Sequence, residues 1–414
     1  MENPQGQAAG GERSSAWYAL LVLTCLNLLN YLDRYVVPAV QVTIKHELAL
    51  TDAQVGLLST GFMVVYMCVS PVFGWLGDKR SRTMLIGLGV AIWSMATLCS
   101  GFAGTFVLLL VTRMFVGVGE AAYGTIAPAV LSDSFAVAIR GRVFAVFYAA
   151  IPIGSALGYL VGGYVGAHWG WRHAFWLTSA LGAMLAILAF RLHDPPRGST
   201  GDGDDSTPSS AGLLDAYRSL WKNRLYVITV AGYAAGTFAI GGLAVWLPQF
   251  LITARKLDNA AMVVGAMMAV SGLVGTIAGG WVGDWFAQRN RYAYLWVAGL
   301  TSLMAAPLAM VALTVPTPSV FLPAIFIAGI LVFASTGPIN TLIVNLVDPE
   351  IRATAVAACT LAIHLFGDGF SAWFIGWVSD NASLERSMLM VPVMMALSGA
   401  IWTVAAWSRR GRSA

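Results

Sequence analysis

The chain has 414 residues, of which 58% are hydrophobic and only 11% charged, and its formal net charge is +4. Soluble domains carry roughly 25% charged residues, so most of this chain is expected to face lipid or other apolar helices, and so weak a net charge gives no ground for a nucleic-acid partner. Cys25, Cys68, Cys99 and Cys359 all lie inside apolar runs, which indicates neither a disulfide framework nor a zinc site.

From the N-terminus, about fifteen polar residues precede an apolar run that contains Asp33 and Arg34. That run is too long for a signal peptide and no small-residue cleavage site follows it, so the N-terminus is expected to be retained. Apolar segments long enough to cross a bilayer follow one another at residues 16–40, 54–77, 83–103, 105–131, 141–166 and 171–191. Six more stand at 225–252, 260–284, 292–314, 318–346, 353–378 and 387–408. The expected fold is an all-α integral membrane protein of twelve spans in two pseudo-symmetric six-helix bundles, residues 1–193 and 223–414. Between them, 194–222 contains PPRGSTGDGDDSTPSS, a composition that cannot bury a core. It reads as a flexible cytoplasmic linker, with Leu213 to Leu220 as a short surface helix.

The basic residues set the orientation. With both termini in the cytoplasm, seventeen of the 24 Lys and Arg residues fall on the cytoplasmic side, five on the other, and Arg34 and Arg113 within spans. Such a bias is the positive-inside pattern, and it predicts a multi-pass protein of the inner (plasma) membrane. The halves also echo each other. GWLGDKRSR at 74–82 recurs as GWVGDWFAQRNR at 280–291, and Arg142-x-x-Ala recurs as Arg352-x-x-Ala. An internal repeat of this kind implies two related bundles with a substrate site between them. Span 5 is rich in glycine (Gly154, Gly158, Gly162, Gly163, Gly166), which predicts close helix packing.

Ionisable residues inside spans are the functional candidates, because each costs about 2.5–3.5 kcal/mol at the bilayer centre unless it is paired or faces a cavity. Span 1 carries Asp33 and Arg34, and span 4 carries Arg113 and Glu120. Seven residues is about two helical turns, so Arg113 and Glu120 share a face. Two acids and two bases at overlapping depths form a neutral set. Its bland reading is an ion-pair network that holds spans 1 and 4 together; its functional reading is proton coupling, in which making or breaking a pair switches a proton on and off. In span 11, His364 and Asp368 lie four apart, which is suited to lining a cavity, holding an anionic group or relaying a proton. Gly74, Asp78 and Arg82 after span 2, Arg142 at the start of span 5 and Asp284 after span 8 form a gating set. There Asp78 and Asp284 are expected to close the cytoplasmic side by pairing with Arg142 or capping a neighbouring helix. No nucleophile–base pair, phosphate loop or metal-ligand spacing is present, so the chain is expected to be no enzyme and to need no metal or cofactor, the proton being its coupling ion.

These residues carry a family resemblance. Gly74-x-x-Gly77-Asp78-Lys79-Arg80-x-Arg82 resembles the loop signature of the major facilitator superfamily, and Arg113-x-x-x-Gly117-x-Gly119-Glu120-Ala121 its span 4 motif. NYLDRY at 30–35, GVGEAAYGTIAP at 117–128, FYAAIPIGSALGYL at 147–160, DPPRG at 194–198 and HLFGD at 364–368 narrow the resemblance to the Spinster family of lipid transporters. The resemblance implies alternating-access transport of single-chain lipids, sphingosine 1-phosphate or lysophospholipids in animal members. It makes Asp33, Arg34, Arg113 and Glu120 the coupling and substrate-gating set, and His364 a headgroup contact beside Asp368. A general proton-coupled drug or organic-ion antiporter would use the same scaffold. The short tails are expected of a bacterial, monomeric member whose partners are the bilayer and its amphiphilic substrate. Span 11 departs from the family pattern Gly-Asp-Ala-x-Ser-Pro, reading Gly367-Asp368-Gly369-Phe370-Ser371-Ala372, which leaves the bend of that helix open. The second-half loop also departs, with Trp285 and Phe286 at positions where basic residues are expected.

Overall fold

A computed structural model describes residues 4–197, 213–348 and 351–410. All regular structure among them is helical: α1 Pro4–Glu47, α2 Asp52–Lys79, α3 Arg82–Ser100, α4 Phe106–Ser134, α5 Val137–Trp169 and α6 Trp171–Ala189. After the short α7 Leu213–Lys222 come α8 Arg224–Thr253, α9 Ala260–Ala287, α10 Ala293–Thr314, α11 Pro318–Ala334 and α12 Thr336–Asn345. Then α13 Arg352–Ile363, a π turn His364–Asp368, α14 Gly369–Asn381, α15 Leu384–Met388 and α16 Met390–Arg410 complete the chain. Merging α11 with α12, α13 with α14, and α15 with α16 leaves twelve helices long and apolar enough to cross a membrane.

Helix ends follow the local sequence. The hydroxyls of Ser81 and Thr105 accept the amides of Met84 and Leu108 and so cap α3 and α4. Asn223 caps α8 by accepting the amide of Tyr226. Gly170, at φ 90°, makes the sharp corner between α5 and α6, a conformation open to glycine without steric cost.

The chain divides into two compact units, Met1–Leu50 with Gly61–Asp205, and Thr51–Thr60 with Ser206–Ala414. In unit 1, α1 packs on α5 and α6, and α3 on α4 and α6. Unit 2 repeats this wiring six spans later, α8 packing on the α13–α14 helix and α16, and α10 on α11 and α16. The sequence repeat thus reappears as a repeat of helix neighbours.

Two details depart from the composition-based outline. First, the linker is not featureless at its ends. The carboxylate of Asp194 accepts both the Arg82 amide and its Nε at 2.8 Å, and Arg197 donates to the carbonyls of Gly77 and Arg80, again at 2.8 Å. At the other end Leu220, 2% exposed, ties α7 into the core of unit 2. Residues 198–212 of the linker lie outside the described residues. Second, the first nine residues of α2, 52–60, belong to unit 2. There the Asp380 carboxylate accepts the amides of Asp52 and Ala53 at 2.8 Å, the favourable place for an anion at a helix start. Asp52 in turn accepts Gln249 Nε2 at 2.8 Å and Ser379 Oγ at 2.7 Å.

The glycines of α5 serve the packing the sequence anticipated. A Cβ on Gly154 would sit 2.3 Å from the Leu28 carbonyl, and one on Gly158 2.4 Å from that of Leu32. Neither carbonyl can retreat without moving α1. Gly158→Ala is therefore expected to destabilise unit 1 by about 1–3 kcal/mol, the usual cost of overpacking. Gly141→Ala, where nothing lies within 4 Å, is expected to be neutral. Thermal unfolding of the two variants in detergent checks the contrast; equal melting temperatures would contradict it.

Candidate functional site

Asp33 and Arg34 are adjacent on α1, so their side chains leave the helix about 100° apart and reach different partners. Arg34 donates from Nε to Glu120 Oε2 at 2.7 Å, with the Glu120 side chain fully buried and that of Arg34 at 18% exposure. Arg113 Nη1 lies 3.8 Å from Asp33 Oδ2, and both side chains are buried. The pairing is crossed: each helix gives its base to the other helix's acid. Asp33 is held further by Thr97 of α3, donating to Oδ2 at 2.8 Å, and by Thr178 of α6, donating to Oδ1 at 3.3 Å. Four helices of unit 1 therefore meet at one carboxylate.

The set is compact but not saturated. Glu120 Oε1 and Arg113 Nε and Nη1 are buried with no hydrogen-bond partner among the described residues. Arg34 is instead wrapped by rings, its guanidinium carbon lying 5.1 Å from the Tyr31 and Phe62 centroids and 5.0 Å from that of Tyr66. Arg113 lies 5.3 Å from Phe62. Cation–π contacts of this kind gain strength where water is excluded. Chemically, the group offers a carboxylate with a free acceptor lone pair beside a guanidinium that a single close ion pair and three rings hold in place.

In unit 2 the His364–Asp368 segment forms a π turn, and Gly367 departs from helical backbone at φ −105°, ψ −115°. His364 Nδ1 and Asp368 Oδ1 are 2.8 Å apart, and the same oxygen accepts the Gly369 amide at 3.1 Å, capping α14. The turn has room because α8 presents small groups to it. A Cβ on Gly367 would meet Thr237 Oγ1 at 2.1 Å, and one on Gly241 would meet Asp368 Cβ at 2.5 Å. Span 11 is thus interrupted without the proline of the family pattern, by a glycine and a widened turn. Such turns are frequent at functional positions.

The gating candidates fall into three situations. Arg82 is buried and clasps Asp133 at 2.5 Å, Asp194 at 2.8 Å and the Pro195 carbonyl at 2.5 Å, which binds the end of unit 1 to the linker. Asp284 accepts the hydroxyl of Tyr294 at 2.9 Å. Asp78 and Arg142 are exposed and form no ion pair with each other among the described residues; a Cβ on Gly74 would meet the Thr125 methyl at a comfortable 3.6 Å.

Sequence reasoning missed Thr97, Thr178 and Tyr66. A hydroxyl in an apolar helix normally satisfies itself on the carbonyl three or four residues back, as Ser94 does on Val90 at 2.7 Å, so nothing local marks the two threonines as carboxylate donors. Tyr66 carries no pattern of its own and becomes part of the site only through the fold.

With this geometry described, comparison with known proteins is direct. The sequence model of the Major Facilitator Superfamily matches residues 23–367. Protein spinster homolog 3 of Danio rerio is 32% identical over 96% of this chain and 87% of its own. The probable sphingolipid transporter spinster homolog 1 of Arabidopsis thaliana is 30% identical over 92% of this chain and 87% of that protein. The crystal structure of a bacterial homolog of the human lysosomal transporter Spinster, inward-facing and unoccupied, shares the fold with a TM-score of 0.86. It is 24% identical and covers 95% of this chain and 97% of that one. By family match and by its relatives this chain is a multi-pass membrane transporter rather than an enzyme, and it belongs to the Spinster branch of the Major Facilitator Superfamily.

Proposed function

We propose that this protein is a proton-coupled transporter of single-chain amphiphilic lipids, lysophospholipid or sphingosine-phosphate-like, working by alternating access. It acts in the inner (plasma) membrane with both termini in the cytoplasm, the side that its Lys and Arg residues favour. The observation that carries the reading is the closed Arg34–Glu120 pair at 2.7 Å, beside the looser Asp33–Arg113 pair at 3.8 Å. A proton on Glu120 removes the charge that holds Arg34 and frees a partly exposed guanidinium for an anionic headgroup. Loss of the proton recloses the pair and ejects the anion. Asp33 and Arg113, with both side chains buried, form the second couple of the same exchange. A ligand shifts a conformational equilibrium only by its differential affinity for the two states, and an ion pair that exists in one protonation state alone supplies such a difference. His364, with Asp368 orienting its ring, is a further headgroup contact, and Asp78 with Arg142 forms a latch of the cytoplasmic side.

Asp33→Asn and Glu120→Gln are expected to abolish uptake driven by a pH gradient in proteoliposomes while the protein still folds and reaches the membrane. Asp284→Asn, at a residue that joins neither pair, is expected to keep it. Full gradient-driven uptake by both neutral variants would reduce the four charges to a structural network.

The headgroup assignment has its own test. Lysolipids with an anionic or zwitterionic head are expected to bind more tightly than the corresponding neutral alcohols, and His364→Ala is expected to narrow that preference. Binding of all of them with equal affinity, unchanged by His364→Ala, would remove the assignment. Preferential transport of cationic dyes over lysolipids would favour a general drug antiporter instead.

A further inference from the structure

Unit 2 contains a crevice that the transport reading does not use. It lies where α7 meets α8 and α13, has a volume of about 230 Å³, and is walled by Tyr217 and Trp221 of α7, Val227 and Val230 of α8, and Leu361 and Leu365 further along span 11. The Tyr226 hydroxyl could have made it polar, but it is donated to the Ala355 carbonyl at 2.6 Å. Water entering such a space would find too few partners to stay. The walls are built rather than adventitious. Leu220 anchors α7 to the core at 2% exposure. Asn223, the single residue between α7 and α8, fixes their corner by donating to the Leu346 carbonyl at 2.8 Å and accepting the Tyr226 amide at 3.1 Å.

The rim has the opposite character. Arg218 and Lys222 adjoin the wall residues Tyr217 and Trp221 in sequence, and Arg224 opens α8 two residues before Tyr226; all three are exposed, and among the described residues none of them is in an ion pair. The first amides of α8 add the positive end of a 30-residue helix at the same corner. Trp221 stands 75% exposed beside them, an amphipathic ring of the kind that settles at headgroup level. Along span 11 the crevice runs from Ala358 to Phe366, about 12 Å at 1.5 Å per residue, from near the start of that span towards its middle.

We propose that the crevice is a binding site for one anionic diacyl phospholipid of the surrounding leaflet. An acyl chain fills the apolar slot, and the phosphate rests on Arg218, Lys222, Arg224 and the start of α8. At roughly 30 Å³ per water-sized group, the volume takes on the order of eight methylenes, which is a stretch of chain rather than a whole lipid. Charge complementarity selects the occupant: three cations outside any ion pair suit phosphatidylglycerol better than the zwitterionic phosphatidylcholine. The site shares no residue with the Arg34–Glu120 set and does not depend on which substrate that set serves.

The test reconstitutes the full chain in equal parts of phosphatidylglycerol and phosphatidylcholine, purifies it gently, and counts retained lipids by native mass spectrometry. The wild type is expected to retain one phosphatidylglycerol preferentially. Arg218→Gln with Lys222→Gln and Arg224→Gln is expected to cut that preference by on the order of tenfold or more, and Ala362→Phe, which fills the slot, is expected to lose the bound lipid whatever its head. Equal retention of the two lipids by the wild type would overturn the proposal, as would undiminished retention by both variants. Stoichiometric displacement by added lysophosphatidylcholine would assign the crevice to the substrate path and overturn it equally. Lysolipid uptake, measured on the same preparations, reports separately on the transport reading.

Discussion

Four ionisable side chains, three of them buried and Arg34 mostly so, meet inside unit 1, and its arrangement follows from making them neutral together. Taking one charge out of water costs several kcal/mol, and a partner repays it only at close range with the remaining donors and acceptors satisfied. The chain meets the first condition by crossing its pairs between α1 and α4, and the second only in part. Asp33 receives two hydroxyls as well as its guanidinium, whereas Glu120 keeps a bare oxygen and Arg113 two bare nitrogens. A group optimised only to hold helices together would have little reason to keep that remainder. The rings of Tyr31, Phe62 and Tyr66 hold Arg34 without supplying a second anion, so one bond to Glu120 governs where it points.

Much of this was legible before any coordinates. The apolar runs gave twelve spans because hydrophobic thickness leaves little freedom in their length, and the seven-residue interval from Arg113 to Glu120 put both on one face because helical geometry is rigid. Which base meets which acid was not legible, since that depends on the relative rotation of α1 and α4 and no local pattern encodes it. Thr97 and Thr178 were invisible for the same reason. The break in span 11 was left open because the usual cue, proline, is missing; Gly367 supplies it by a route that sequence reading treats as ordinary helix packing. The allotment of residues 51–60 to unit 2 likewise rests on the contacts of Asp52 with Gln249, Ser379 and Asp380, residues nearly 200 or more positions away.

The linker shows how far composition misleads when a few strong contacts intervene. DPPRG reads as a turn-forming entry to a polar stretch, yet Asp194 and Arg197 make four hydrogen bonds to the segment around Gly77–Arg82. Arg82, a residue of the loop signature, is therefore buried inside one unit rather than presented at its surface. Burying a guanidinium is tolerable there because two carboxylates and a carbonyl surround it.

The π turn of span 11 has a consequence for how this helix can change in length. A π turn holds one residue more than the α-helix around it, and a shift of one residue rotates everything beyond it by about 100°. Loss of a single codon within 364–368 would mend the helix, but it would swing α14 round and carry Ser379 and Asp380 away from the α2 residues they bind. The extra residue therefore fixes the reading frame of two contact surfaces at once. Substitutions that the packing around Gly367 tolerates leave that phase intact, whereas insertions and deletions there do not, so among viable variants this segment is constrained in length whatever its composition.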